Sequence, residues 1–124
     1  MITPLVALAM VLAGGVAAVA RYLVSLTVTS RRGLPIATFV VNIVGTAIGA
    51  AAAGLAHAHI FSPGLELILL TGVAGGLTTF STWSVETIAL VQKGRWGVAA
   101  ANVAANLAVG LAVAAIAYSI TSGL

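Results

Sequence analysis

The 124-residue chain is 61% apolar, has a mean hydropathy of +1.21 and carries only five Lys or Arg and two Asp or Glu. A soluble surface for a domain this size needs about 25–35% charged residues; the 6% present excludes a soluble enzyme, a disordered tail and a nucleic-acid binder, and a net charge of +3 is too thin for a basic patch. The absence of cysteine excludes disulfides, thiolate metal sites and cysteine nucleophiles.

A helix crosses a hydrocarbon core of about 30 Å with roughly 20 apolar residues. Four stretches qualify, at about 4–28, 35–58, 64–91 and 97–119, and they predict an all-α, four-span membrane protein occupying residues 1–124 as a single domain. The breaks carry turn and charge signals: Ser30-Arg31-Arg32-Gly33, the run from His57 to Gly64 with Pro63, and Gln92-Lys93-Gly94-Arg95. Pro35 and Pro63 stand at helix starts, where a missing N–H costs nothing. No ten-residue segment alternates polar and apolar residues, which argues against a spanning β-barrel. Ala18-Val19-Ala20 mimics a signal-peptide cleavage site, but no positive n-region precedes it and the apolar run continues past it.

Arg31, Arg32, Lys93 and Arg95 all fall in the first and third loops, and the opposite side has no Lys or Arg. The positive-inside rule places those two loops in the cytoplasm and both termini outside. His57 and His59, in the second loop, read as solvated, while Tyr22 and Trp96 read as interfacial aromatics.

Polar residues at membrane depth are costly unless they find partners or line a wet path. Thr38, Asn42 and Thr46 share one face of the second span, and Asn102 and Asn106 share one face of the fourth. The third span carries Thr78-Thr79-Phe80-Ser81-Thr82-Trp83-Ser84 just after Gly75-Gly76, with Glu86 next. Interhelical hydrogen bonding accounts for a lone asparagine; this many amides and hydroxyls, with a glycine-softened helix, favour a pathway. Neutral N–H and O–H donors can replace an anion's hydration shell, whereas carboxylates would suit a cation or proton. The third helix is expected to break near 75–81, freeing carbonyls that suit a hard cation such as Na⁺. Phe80 and Trp83, three residues apart, project from a similar face, and aromatic ring edges carry partial positive charge. Gly45/Gly49 and Gly72/Gly76 are small-xxx-small pairs for close helix packing. A chain this small encloses little, so two or more chains are expected to assemble.

The sequence resembles the Fluc/CrcB family of fluoride channels. The resemblance rests on Gly14-Gly15 with Arg21-Tyr22, on Thr38-Phe39-Val40-Val41-Asn42-Ile43-Val44-Gly45, and most specifically on Gly75-Gly76-Leu77-Thr78-Thr79-Phe80-Ser81-Thr82-Trp83-Ser84. It covers essentially the whole chain and implies an antiparallel dimer in the cell membrane, with a central structural Na⁺ that is not transported and two pores that passively expel fluoride from the cytoplasm. By position it implies Gly75 and Thr78 carbonyls as Na⁺ ligands, Asn42 as the pore asparagine and Phe80 as the first pore phenylalanine. Ser81, Thr82 and Glu86 fall where the third span lines the track, and Arg21 resembles a vestibule arginine. The sequence departs from the family pattern at Trp83, which replaces the second phenylalanine, and at Asn102 and Asn106, where Tyr or Ser is expected.

The four-to-zero loop charge bias predicts insertion mainly in one orientation. The dimer is then either a homodimer or a heterodimer with an oppositely oriented homologous chain. The rival functions are a small multidrug-resistance-type exporter, disfavoured because the first span lacks a carboxylate, and a non-conducting subunit of a heterodimeric channel. Two acids, two loop histidines and no cysteine supply no catalytic constellation.

Overall fold

The computed structural model describes residues 2–28 and 34–124. Arg31 and Arg32, and with them the centre of the first loop, lie outside the described residues. Helix α1 (Pro4–Thr27) starts with Pro4 in its first turn and Thr3 as N-cap, whose hydroxyl accepts the Val6 N–H at 3.3 Å. Helix α2 (Ile36–His57) follows Pro35. Its last residue is His57, so this histidine belongs to the helix rather than to the second loop, and its ring lies 6.0 Å from that of Tyr118.

The third span is composite. Helix α3 (Pro63–Leu67) begins at Ser62, whose hydroxyl accepts the Leu65 N–H at 3.3 Å, with Glu66 in the first turn favouring the positive end of the helix dipole. It runs on through a π-helical segment (Ile68–Ala74) into α4 (Gly75–Leu77). Thr78 and Thr79 are extended, at φ/ψ of −77/156° and −149/116°, and α5 (Phe80–Gln92) then resumes the span. The expected break is therefore present and narrow, at two threonines. The wider helix before it is an addition for which no residue pattern had argued. Helix α6 (Trp96–Ser122) completes four segments long and apolar enough to cross a membrane, and the protein is multi-pass.

Two helix ends close in the same way. After α5, Gly94 at φ 71° lets its N–H reach the Val91 carbonyl and the Arg95 N–H reach the Leu90 carbonyl, both at 2.9 Å. After α2, His59 takes the equivalent left-handed position at φ 60°, its N–H bonding Ala56 at 3.0 Å and the Ile60 N–H bonding Leu55 at 2.9 Å.

Helix α2 packs along α6 and against the π-helical segment, α1 packs against that segment and α4, and α5 lies against α6. The glycine pairs are used in these contacts. A Cβ at Gly76 would collide with the Gly14 backbone, and one at Gly72 would sit 2.9 Å from the Met10 carbonyl oxygen. On the other side, Gly45 and Gly49 abut Ala74, with Thr78 and Leu70 beside them. Both pairs thus bring helices together within the chain. The core they enclose is thin, centred on Ala17, Val41 and Leu77. Large apolar residues instead cover the outside, with Leu5, Val11, Val16, Leu111 and Phe80 all more than 70% exposed. Such a surface is suited to lipid or to another apolar face.

Candidate functional site

The site is built on the break in the third span. In an unbroken helix the Thr79 N–H would bond the Gly75 carbonyl and the Thr82 N–H the Thr78 carbonyl. Here the Thr79 N–H donates to Asn42 Oδ1 at 2.8 Å, and the Thr82 N–H donates to Thr79 Oγ1 at 3.2 Å. The carbonyls of Gly75 and Thr78 therefore lose their helical donors. The Thr78 hydroxyl folds back on the Ala74 carbonyl at 2.9 Å, so it does not replace them.

Asn42 stabilises the break from α2. Its carboxamide accepts from the Thr79 N–H and donates Nδ2 to the Thr79 carbonyl at 3.3 Å, matching both backbone groups of one residue. Nδ2 also approaches Asn106 Oδ1 at 3.4 Å. Asn106 Nδ2 donates to the Asn102 carbonyl at 2.9 Å and to its Oδ1 at 3.2 Å. Asn102 Nδ2 donates to Thr87 Oγ1 at 2.9 Å, and the Thr87 hydroxyl donates to the Trp83 carbonyl at 2.7 Å. Polar residues of α2, α5 and α6 are thereby joined with Thr79 in one network at membrane depth, in which Thr79 and Asn102 are buried.

Two cavities meet at Thr79. One, of about 230 Å³, is lined by Arg21, Tyr22, Ser25, Thr38, Thr79 and Thr82. The other, of about 380 Å³, is lined by Asn42, Thr46, Thr78, Thr79, Phe80, Trp83, Asn106 and Leu107. The polar stripe of α2 is therefore divided, with Thr38 serving the first cavity and Asn42 and Thr46 the second. Phe80 and Trp83 stack obliquely, ring centroids 5.4 Å apart at 54°, so the two aromatics do share a face. Ser81 and Glu86 line neither cavity. Ser81 Oγ lies 3.3 Å from Thr79 Oγ1, and Asn102 sits behind Asn106.

Arg21 Nε, Trp83 Nε1 and Glu86 Oε2 are buried without a hydrogen-bond partner among the described residues. Buried polar atoms left unpaired are costly. No group of three or more His, Cys, Asp or Glu is placed to hold a metal among the described residues. The freed Gly75 and Thr78 carbonyls are hard oxygen donors of the kind Na⁺ takes. Chemically, the second cavity offers amide and hydroxyl groups and ring edges, with no formal charge among its lining residues.

Reading the sequence brought out Asn42, Phe80, Trp83 and Asn106, which the fold brings to one cavity, and Arg21, Thr38 and Thr82, which it brings to the other. It passed over Thr79 as a site residue, although a threonine just past a glycine pair is a helix N-cap signal. It also passed over Thr87, whose role depends on α6.

Comparison with known proteins adds the following. The family model described as "CrcB-like protein, Camphor Resistance (CrcB)" matches residues 8–118. A Yersinia pestis protein named fluoride-specific ion channel FluC 1 is 42% identical over 113 residues, which is 90% of this chain and 89% of that protein. Fluoride-specific ion channel FluC of Escherichia coli O139:H28 is 37% identical over 113 residues, with the same coverage of both.

Proposed function

The chain is a member of the CrcB family, and from that premise we propose that it forms half of a fluoride channel that passively exports fluoride and lowers its cytoplasmic concentration. The observation that carries this reading is the uncharged cavity at the helix break, walled by the Asn42 amide, the Thr46, Thr78 and Thr79 residues and the ring of Phe80. A small, strongly hydrated anion needs N–H and O–H donors to leave water. It also needs sites weak enough to leave again, which a fixed cation in the path would not provide. The relatives are named fluoride-specific ion channels, which supports fluoride as the anion.

In this reading Arg21 recruits the anion into the cavity it shares with Ser25, Thr38 and Thr82. Asn42 and the edges of Phe80 and Trp83 receive it at the break. Thr82 on α5 and Asn106 on α6 line the track where the two cavities meet, with Ser81, Glu86 and Asn102 beside it rather than on its wall.

The Gly75 and Thr78 carbonyls fit a structural Na⁺, which when bound would supply fixed positive charge to hold the broken helices together. One chain offers two such oxygens, so the site needs a second chain to complete it. An antiparallel dimer also covers the exposed Gly75, Phe80, Ser81 and Thr82, which otherwise place polar groups against hydrocarbon. The partner is a second copy or an oppositely oriented homologous chain.

Substitution at the cavity tests the reading. In liposomes, Asn42→Asp (which keeps an acceptor for the Thr79 N–H but exchanges the donors for a carboxylate) and Phe80→Ile are each expected to abolish fluoride efflux while dimer assembly persists. Undiminished efflux in both variants would contradict it.

A further inference from the structure

The asparagine network has a fixed direction. At one end the Thr79 N–H can only donate, and at the other the Trp83 carbonyl can only accept. The Thr87 hydroxyl spends its proton on that carbonyl at 2.7 Å, so Thr87 Oγ1 accepts from Asn102 and the Asn102 amide nitrogen must face Thr87. Asn102 Oδ1 and its backbone carbonyl then face Asn106 and hold the Asn106 nitrogen at 3.2 and 2.9 Å. Asn106 is left with its oxygen towards Asn42. On the other side, Asn42 commits Oδ1 to the Thr79 N–H and Nδ2 to the Thr79 carbonyl and to Asn106 Oδ1.

An anion reaching Asn42 therefore meets an amide whose N–H groups already have acceptors, and the weaker of those contacts is Asn106 Oδ1 at 3.4 Å, near the long limit for such a bond. Both residues line the same cavity. We propose that Asn106 is a built-in competitor for the anion at Asn42, and that Asn102 is the positioning residue that keeps it oxygen-first. The competition weakens the site and lets the anion move on. This inference rests on the channel reading and deepens it. A residue that simply lines the path with a donor strengthens anion binding, whereas a competitor weakens it, so the two roles have opposite signs.

The test measures fluoride flux against fluoride concentration for the reconstituted wild-type dimer, Asn106→Leu and Asn102→Leu. Removing one competing hydrogen bond is expected to lower the half-saturating fluoride concentration in Asn106→Leu, up to about tenfold, and to lower the flux at saturation as the ion leaves more slowly. Asn102→Leu keeps the backbone carbonyl that holds Asn106, so both quantities are expected to move in the same direction by less. If Asn106→Leu does not assemble, Asn102→Leu alone decides. A raised or unchanged half-saturating concentration, in a wild type that conducts, overturns the competitor role and leaves the channel reading standing. A wild type without fluoride flux overturns the reading beneath it.

Discussion

At Thr79 one side chain and one peptide unit settle the course of the third span. The hydroxyl caps α5 by accepting the Thr82 N–H at 3.2 Å, and the backbone N–H and carbonyl are both met by Asn42. Thr79→Val removes the cap and keeps the shape, so it is expected to cost about 0.5–2 kcal/mol in equilibrium unfolding in detergent, whereas Thr79→Ser should fall within about 0.5 kcal/mol of wild type. Equal stabilities for the two variants would show that the hydroxyl does not hold the break. Asn42 was legible in the sequence as a polar residue at membrane depth, because hydropathy makes such residues conspicuous. Its partner was not, since Thr79 lies 37 residues away and pairs through its backbone, which has no sequence signature. The same holds for the Asn102–Thr87 bond, which depends on how α5 lies against α6.

Among the elements, the four spans were legible within a few residues because their length and apolar content are dictated by bilayer thickness. The fourth extends three residues beyond the expected end, to Ser122, and the second ends on His57. The π-helical turn at Ile68–Ala74 was not legible, because its residues are the same apolar and small ones that an α-helix uses. Glycine pairs announce close packing but do not name the partner helix. The fold assigns Gly76 to α1, where the colliding atoms are Gly14 backbone and cannot rotate away. Gly76→Ala is accordingly expected to destabilise by about 1–3 kcal/mol. Gly97→Ala, with nothing within 4 Å of the added methyl, should be neutral or slightly stabilising in the same unfolding assay. At the end of α2 the left-handed position is held by His59 rather than glycine. His59→Gly relieves that strain and is expected to raise stability by up to about 1–2 kcal/mol. A decrease would show that the imidazole makes a compensating contact.

For the whole molecule, a thin core and a broad apolar exterior describe a chain suited to a membrane, and the proposed dimer would cover part of that exterior. Loop charge bears on which chain would be the partner in the proposed dimer. With Arg31, Arg32, Lys93 and Arg95 on one side and no Lys or Arg on the other, tag accessibility in cells is expected to find the termini mainly outside. Equal populations in both orientations would contradict the bias and favour a plain homodimer. The most direct test of the channel is fluoride efflux from proteoliposomes holding this chain alone, and with an oppositely oriented homologous chain, under clamped voltage. The expected result is rapid fluoride efflux in at least one preparation, undiminished when the proton gradient is collapsed. No fluoride efflux in either, or efflux that requires a proton gradient, would contradict the account.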